Sequence, residues 1–145
     1  MSLKRIMPCL LYDGKGLVKT VQFKNPSYVG DPINAIKIFN EKEVDELIYL
    51  DITASKQKRK PNISYITELA SECFMPLCYG GGITTIEEIK SILKAGVEKV
   101  SLNVSNLNNL NLLREGADKF GSSAMVASID VKANLFGKHY VYNHI

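Results

Sequence analysis

Histidine and cysteine, which together hold most transition metals in proteins, are scarce in this sequence. The only two histidines, His139 and His144, lie near the C-terminal end, so we expect no histidine-based metal site or catalytic triad. The three cysteines are odd in number, and no pair has metal-ligand spacing. Cys9 and Cys78 fall in apolar stretches and Cys73 on a predicted helix face. We therefore expect small buried thiols in a reducing cytoplasm, with no metal and no cofactor.

The sequence also lacks long apolar runs and a strong charge of either sign. No run reaches the roughly 20 residues of a membrane span, and no signal peptide precedes the first strand, so we expect no membrane partner. The net charge is +3, and the run from Lys56 to Lys60 is interpreted as a solvated loop. No basic helix with interleaved aromatic residues occurs, which argues against a nucleic-acid partner. The 145 residues are predicted to form one domain, 1–145.

Apolar stretches of strand length alternate with helical patterns along the chain. The predicted strands are Arg5–Leu11, Glu46–Asp51, Leu77–Gly80, Lys99–Asn103 and Met125–Asp130. The predicted helices begin at Asp31-Pro32, run from Ile63 to Cys73, run from Thr85 to a stop at Gly96, and run from Leu107 towards Gly121. Such alternation indicates βαβ units and a parallel sheet.

Every predicted strand after the first ends in polar residues or glycine, which is typical of the carboxyl-end loops of a (β/α)₈ TIM barrel. A doubly wound sheet is the alternative, but its G-x-G-x-x-G after the first strand is absent. Because a barrel typically needs about 250 residues, the α/β chain, with four βα units and a fifth strand, is predicted to be either a half-barrel or a truncated barrel. The long connection after the first strand contains Leu17–Phe23, which alternates like a short strand.

Three consecutive glycines, Gly80 to Gly82, begin at the last residue of the third predicted strand. They allow a close backbone approach to a ligand, and Thr85 and Glu88 behind them have capping-box spacing. Free N–H groups in such a turn suit a phosphate, although a plain tight turn is the commoner explanation. The next strand ends in polar residues, Ser101 and Asn103, so we predict a phosphate held between the two strand ends.

These segments resemble the cyclase subunit of imidazole glycerol phosphate synthase. The segments that carry the resemblance are Arg5–Cys9, Val18–Phe23, Gly30–Pro32, Asp45–Ser55, Gly80–Ile83, Glu98–Ser101 and Ile129–Lys132. The string from Asp51 to Ser55, Asp-Ile-Thr-Ala-Ser, favours the cyclase over the related isomerase barrel of histidine biosynthesis. The resemblance covers a little over half of a family member.

The resemblance implies an ammonia-dependent ring closure on a phosphoribosyl nucleotide intermediate. A glutaminase partner would supply ammonia through the barrel. The implied catalytic residues are Asp130 and Lys19. The implied phosphate or substrate residues are Gly81, Gly82, Asn103, Asp51 and Ser101, and the implied ammonia gate is Arg5, Glu46 and Lys99. A carboxylate at a strand's carboxyl end favours a general base at Asp130, with a loop cap or a partner of Lys132 as the alternatives. Lys19 taken alone is interpreted as a solvated loop charge, and the alternative for the gate residues is ordinary strand-entry charge.

Two positions depart from the family pattern. Leu11 occupies the place of the first-strand aspartate, and leucine cannot transfer a proton. Val104 occupies the place of an expected hydroxyl residue. We therefore expect impaired cyclase activity. The alternatives are a paralogue that passes ammonia from a glutaminase to a surface-sugar amidation pathway, and a phosphate-binding fragment without activity.

Five strands should leave two open sheet edges, at the first and fifth strands. The inner face should also expose apolar side chains, namely Met7, Cys9, Ile48, Leu50 and Val126. We therefore expect the chain to form a homo-oligomer.

Overall fold

The computed structural model describes residues 3–104 and 107–143. Within them the strands are β1 (Cys9–Tyr12), β2 (Leu17–Val21), β3 (Lys24–Gly30), β4 (Leu47–Asp51), β5 (Leu77–Gly80), β6 (Lys99–Asn103), β7 (Met125–Ser128), β8 (Val131–Ala133) and β9 (His139–Val141). The helices are α1 (Pro32–Glu41), α2 (Ile63–Glu72), α3 (Ile86–Lys94) and α4 (Leu107–Phe120), and a 3₁₀ turn covers Ser122–Ala124.

Strands β1, β4, β5, β6 and β7 form a parallel sheet, with one helix in each connection from β4 onwards. The register sets Leu50 level with Gly80, and Gly80 level with Ser101. On the next pair Asn103 is level with Ser128. The strands therefore end at one edge of the sheet, and the predicted parallel βα alternation is confirmed.

The helices cover only one face of this sheet. On β4, Leu47 and Tyr49 have no exposed surface and pack in one core with Ile36, Ile66 and Ile89 of the helices. The alternate residues Ile48 and Leu50 point to the other face and are only half-buried. A doubly wound sheet would carry helices on both faces, so the structure is that of a half-barrel.

Local sequence signals account for the helix starts. Asp31 accepts a hydrogen bond from Asn34 N at 3.0 Å, and Pro32 occupies the first turn of α1. The predicted capping box of α3 is confirmed, with Thr85 and Glu88 each bonding the other's backbone N–H. No helix within the described ranges has the length and apolar character needed to cross a bilayer.

The predicted boundaries are wrong at the first and fifth strands. β1 begins at Cys9 rather than Arg5, because Pro8 has no N–H to contribute to a regular ladder. The segment before it still lies against β4, since the Pro8 carbonyl accepts a hydrogen bond from Ile48 N at 2.9 Å. β7 ends at Ser128, two residues before Asp130.

The connection after β1 is a complete hairpin rather than one short strand. β2 and β3 pair antiparallel around Gln22 and Phe23, which have φ values of 50° and 63°. Positive φ at both central residues is the geometry of a type I′ hairpin turn. The β3 segment contains asparagine and proline, which hide its strand character in the sequence.

This hairpin corrects the expectation of an open edge at the first strand. β2 pairs with the end of β1, Leu11 with Val18 and Tyr12 with Leu17, so the outermost strands of the described sheet are β3 and β7. The tail forms a second, exposed hairpin, β8–β9, to which the sequence assigned no element.

The cysteines differ in their burial. Cys78 is buried, as predicted, and Cys73 is half-buried. Cys9 is exposed, so the prediction of a buried thiol is wrong there. Cys9 is level with Ile48 on the face that carries no helices, which is why no side chain covers it.

Candidate functional site

A cleft of about 260 Å³ lies where the parallel strands end. Five of the predicted site residues line it: Asp51, Gly81, Ser101, Asn103 and Asp130. The parallel register accounts for this, because the carboxyl ends of β4 to β7 reach the same edge of the sheet.

Asp130 and Asn103 are in direct contact across β6 and the end of β7. The Asn103 amide donates from Nδ2 to Oδ2 of Asp130 at 2.8 Å. Lys132, the alternative partner predicted for Asp130, has its ammonium 4.9 Å from the centre of the Tyr142 ring. Asp130 thus presents a hydrogen-bonded carboxylate in the cleft.

Leu11 also lines the cleft, level with Leu50 of β4. Phe23 from the hairpin turn lies on the same cleft, so β1, β4 and the hairpin contribute three apolar side chains to its wall. Asp13 does not replace the missing carboxylate, because its Oδ1 closes the next turn by accepting from the N–H of Lys15 and Gly16 at 2.9 and 3.0 Å.

Lys19 and Gly82 do not line the cleft. Lys19 is exposed on β2, while its neighbour Thr20 reaches the cleft wall. Gly82 is buried, and a Cβ there would overlap the carbonyl oxygen of Arg59. A Cβ at Gly81 would overlap the carbonyl oxygen of Asp51.

The glycine turn therefore has a structural reason that needs no ligand. Gly81 and Gly82 have φ values of 119° and 71°, and they pack closely on the last residue of β4 and on the loop that follows it, respectively. The N–H groups of Thr84 and Thr85 donate to Oε2 of Glu88 at 2.8 and 3.2 Å. A phosphate would thus meet the turn at Gly81, on the cleft side, and that site stays a prediction.

Asp51 is held by its own loop. Its carboxylate accepts from Nη1 and Nη2 of Arg59 at 2.9 and 3.0 Å, and from the N–H groups of Thr53 and Ala54 at 3.1 and 3.0 Å. The hydrogen bonds to Asp51 raise the pKa of the Arg59 guanidinium. Arg59 belongs to the run interpreted as solvated, and that interpretation is wrong for this residue. Nothing in the spacing of Arg59 and Asp51 along the sequence indicates that these two side chains form an ion pair.

A second charged cluster lies at the opposite ends of the strands. The Glu46 side chain is 3% exposed, and Lys99 Nζ contacts both of its oxygens, Oε1 at 2.8 Å and Oε2 at 2.7 Å. Arg5 Nη2 donates to Oε2 at 3.1 Å. The structure thus brings together all three residues of the predicted gate, and Glu46 is buried rather than a solvated strand-entry charge.

Parallel βα units with helices on one face, and a polar cleft at the carboxyl ends of the strands, define a protein of the (β/α)-barrel class, represented by its first four units and a fifth strand. Residues 5–144 match the family model described as "Histidine biosynthesis protein", and the chain belongs to that family.

Named relatives agree with this assignment. A Pseudomonas aeruginosa protein with the provisional name imidazole glycerol phosphate synthase subunit hisF2 is 58% identical over 143 residues, which cover 99% of this chain and 57% of the relative. A Vibrio vulnificus protein, provisionally named subunit hisF3 of the same synthase, is 51% identical over 97% of this chain and 54% of its own length. Subunit HisF of imidazole glycerol phosphate synthase from an Exiguobacterium species is 42% identical over 99% of this chain and 56% of its own length. The chain spans about half the length of these curated relatives.

Proposed function

We propose that the cleft binds a phosphosugar or nucleotide, and that the chain forms the N-terminal part of an imidazole glycerol phosphate synthase cyclase with impaired ring closure. The observation that carries the proposal is the composition of the cleft. Gly81, Ser101 and Asn103 offer polar contacts beside Asp130, while Leu11 lines the cleft in the place of the first-strand aspartate. The names of the relatives supply the substrate class.

Ring closure needs proton transfers to and from the substrate. Asp130 is the proposed general base, because its carboxylate faces the cleft and is oriented by Asn103. Lys19 would assist only after the β2–β3 hairpin turns it towards the cleft. Since Leu11 provides no second acid or base, ammonia-dependent turnover should be very low.

The proposed partner is a glutaminase that delivers ammonia at the opposite end of the strands. The Arg5, Glu46 and Lys99 cluster is suited to a gate, because a buried carboxylate bridges two cations at the barrel floor. The cytosol is the compartment that we expect for such an ammonia-using enzyme.

The second candidate is a paralogue that does not cyclise and passes ammonia to a surface-sugar amidation pathway. The apolar wall of Leu11, Leu50 and Phe23 favours it, because Leu11 supplies no second acid or base while the polar strand ends remain in place. A phosphate-binding fragment without activity is the simplest form of the same idea.

We also propose that the 145-residue chain self-associates. Met7 is exposed, Cys9 is exposed on the face without helices, and β7 is an outermost strand of the described sheet. Pairing of unsatisfied strand edges and burial of apolar surface both favour a homo-oligomer.

Phosphate binding is tested by titrating inorganic phosphate into the ¹⁵N-labelled chain. We expect saturable shifts of the Gly81 and Asn103 amide signals, and at least a tenfold loss of affinity in Asn103→Leu. Asn34→Leu, at an exposed position of α1, is the matched control. Shifts spread evenly over the lysine-rich loop, or equal affinity in both variants, would refute the site.

An activity assay tests the role given to Leu11. The chain is incubated with ammonia and the phosphoribosyl substrate, and the aminoimidazole product is measured. Absence of product together with phosphate binding is expected of the impaired cyclase, of the paralogue and of the fragment, whereas turnover by the unmodified chain would overturn the role given to Leu11.

A further inference from the structure

A second cavity, of about 250 Å³, lies on the other side of β4 from the cleft. Side chains alternate along this strand, so Leu50 lines the cleft and Tyr49 lines the second cavity. Asp51, at the end of the strand, lines both. Four tyrosines surround the second cavity, which is called the tyrosine cavity below: Tyr12, Tyr49, Tyr65 and Tyr79.

The four rings form one connected cluster. The Tyr12 ring centre lies 5.6 Å from that of Tyr49 and 5.5 Å from that of Tyr65. Tyr49 and Tyr79 stack with centres 6.2 Å apart and planes 15° apart. At these separations aromatic rings attract one another, so the walls hold their shape without a ligand.

The hydroxyl groups of the cluster stay protonated. Tyr49 and Tyr65 share a hydrogen bond of 3.1 Å between their oxygens. Burial raises the pKa of Tyr65 to about 12, and burial also raises the pKa of Tyr12, Tyr49 and Tyr79. The cavity therefore offers neutral donors and acceptors at physiological pH.

The charged part of the lining is already neutralised. The Asp51 carboxylate accepts from Arg59 twice and from the backbone N–H groups of Thr53 and Ala54. Arg59 Nε donates to Gln57 at 2.6 Å. Because the charges of Asp51 and Arg59 cancel each other, this lining favours neither an anion nor a cation, and a neutral ligand suits it.

We propose that the tyrosine cavity binds a neutral planar ring with a hydrogen-bonding edge, of the phenol or nucleobase kind, independently of the cleft. Ring faces supply stacking and the hydroxyl groups supply hydrogen bonds. The volume is sufficient, since an apolar protein cavity of about 150 Å³ takes benzene.

The test uses the 145-residue chain with ¹³C-labelled tyrosine rings and phenol as the probe. The chain has seven tyrosines, of which Tyr28, Tyr140 and Tyr142 lie outside the cavity. We expect saturable shifts of the four cavity signals alone. Cyclohexanol, of similar size but without a planar ring, should bind about tenfold more weakly. Adenine, titrated in parallel, distinguishes a nucleobase from a phenol preference.

A variant pair completes the test. Tyr65→Leu removes one wall and should weaken phenol binding about tenfold, while Tyr28→Leu on the exposed β3 should leave it unchanged. Equal shifts of all seven tyrosines, equal binding of cyclohexanol, or an unaffected Tyr65→Leu would each overturn the proposal. If Tyr65→Leu does not fold, the titration of the unmodified chain decides alone, and absence of saturable cavity shifts refutes the site.

Discussion

The buried Glu46 cluster gives a quantitative test of the half-barrel. Glu46 is 3% exposed and its main partner Lys99 is 27% exposed, with contacts of 2.7 and 2.8 Å. Lys99→Met leaves the carboxylate with Arg5 alone, whose side chain is 55% exposed. Breaking a buried pair from one side typically costs 3–5 kcal/mol. Because Arg5 remains, we expect a loss of about 3 kcal/mol in the free energy of unfolding.

Removing the charge of Glu46 instead of that of Lys99 should lower the free energy of unfolding by less. Glu46→Gln keeps the shape and an acceptor oxygen, and Lys99 can turn towards solvent, so we expect a loss of about 1.5 kcal/mol. The double variant leaves no buried charge without a partner and should lose about 2 kcal/mol in total, which is far less than the sum of the single losses. The coupling energy between the two sites should therefore be about 2.5 kcal/mol.

Urea unfolding of the four proteins, with a constant m-value, measures this coupling. The chain offers a matched surface pair, Glu115 and Lys119, at 2.8 Å but with both side chains about half exposed. The same cycle there should give only about 0.3–0.5 kcal/mol. If the coupling energy between Glu46 and Lys99 is no larger than that between Glu115 and Lys119, Glu46 is solvated. That result would remove the reason for calling the cluster a gate.

Three further outcomes are expected. Leu11→Asp should restore little ring closure in the 145-residue chain; near-normal turnover, measured as aminoimidazole product, would contradict the need for the other half of the barrel. Gly82→Ala should lower the free energy of unfolding by clearly more than about 1 kcal/mol, because a Cβ would overlap the Arg59 carbonyl. The control Gly137→Ala, at a similar φ but with open surroundings, should lower it by only the about 1 kcal/mol that the unfavourable φ costs. Equal losses of the two variants in urea unfolding would refute this packing. The backbone N–H groups of Gly16 and Lys15 lower the pKa of Asp13 in the folded chain. The Asp13 carboxylate therefore stabilises the fold above its unfolded-state pKa, and this stabilisation is lost as the pH falls through its folded-state pKa. Asp13→Asn should flatten the plot of unfolding free energy against pH in that acid range, and an unchanged slope would contradict this expectation.

Self-association of the chain is a separate expectation. Light scattering at micromolar concentration should show a dimer or a larger species, and Ala127→Pro on the outer strand β7 should reduce its amount, whereas Ser27→Pro on β3, which already contains Pro26, should not. A stable monomer at all concentrations would refute the proposal.

Local signals in the sequence determined much of the fold. Asp31-Pro32 and the pair Thr85 and Glu88 act within one helical turn, so the helix starts are readable without knowing any distant contact. Apolar stretches separated by helical patterns similarly fixed the parallel βα order, since a parallel strand needs a crossover connection. The positions of Asp130, Asn103 and Gly81 at strand ends followed from the same order.

Contacts between distant segments were decided only by the tertiary structure. The β3 strand forms because β2 pairs with it, although it contains asparagine, proline and glycine, which are depleted in strands. Arg59 is bound to Asp51 because the loop folds back on itself, and Cys9 is exposed because its face of the sheet carries no helix. The tyrosine cavity needs side chains from β1, β4, α2 and β5 to meet. Burial and pairing depend on which surfaces face one another, and a sequence pattern reports only which side of its own strand or helix a residue occupies.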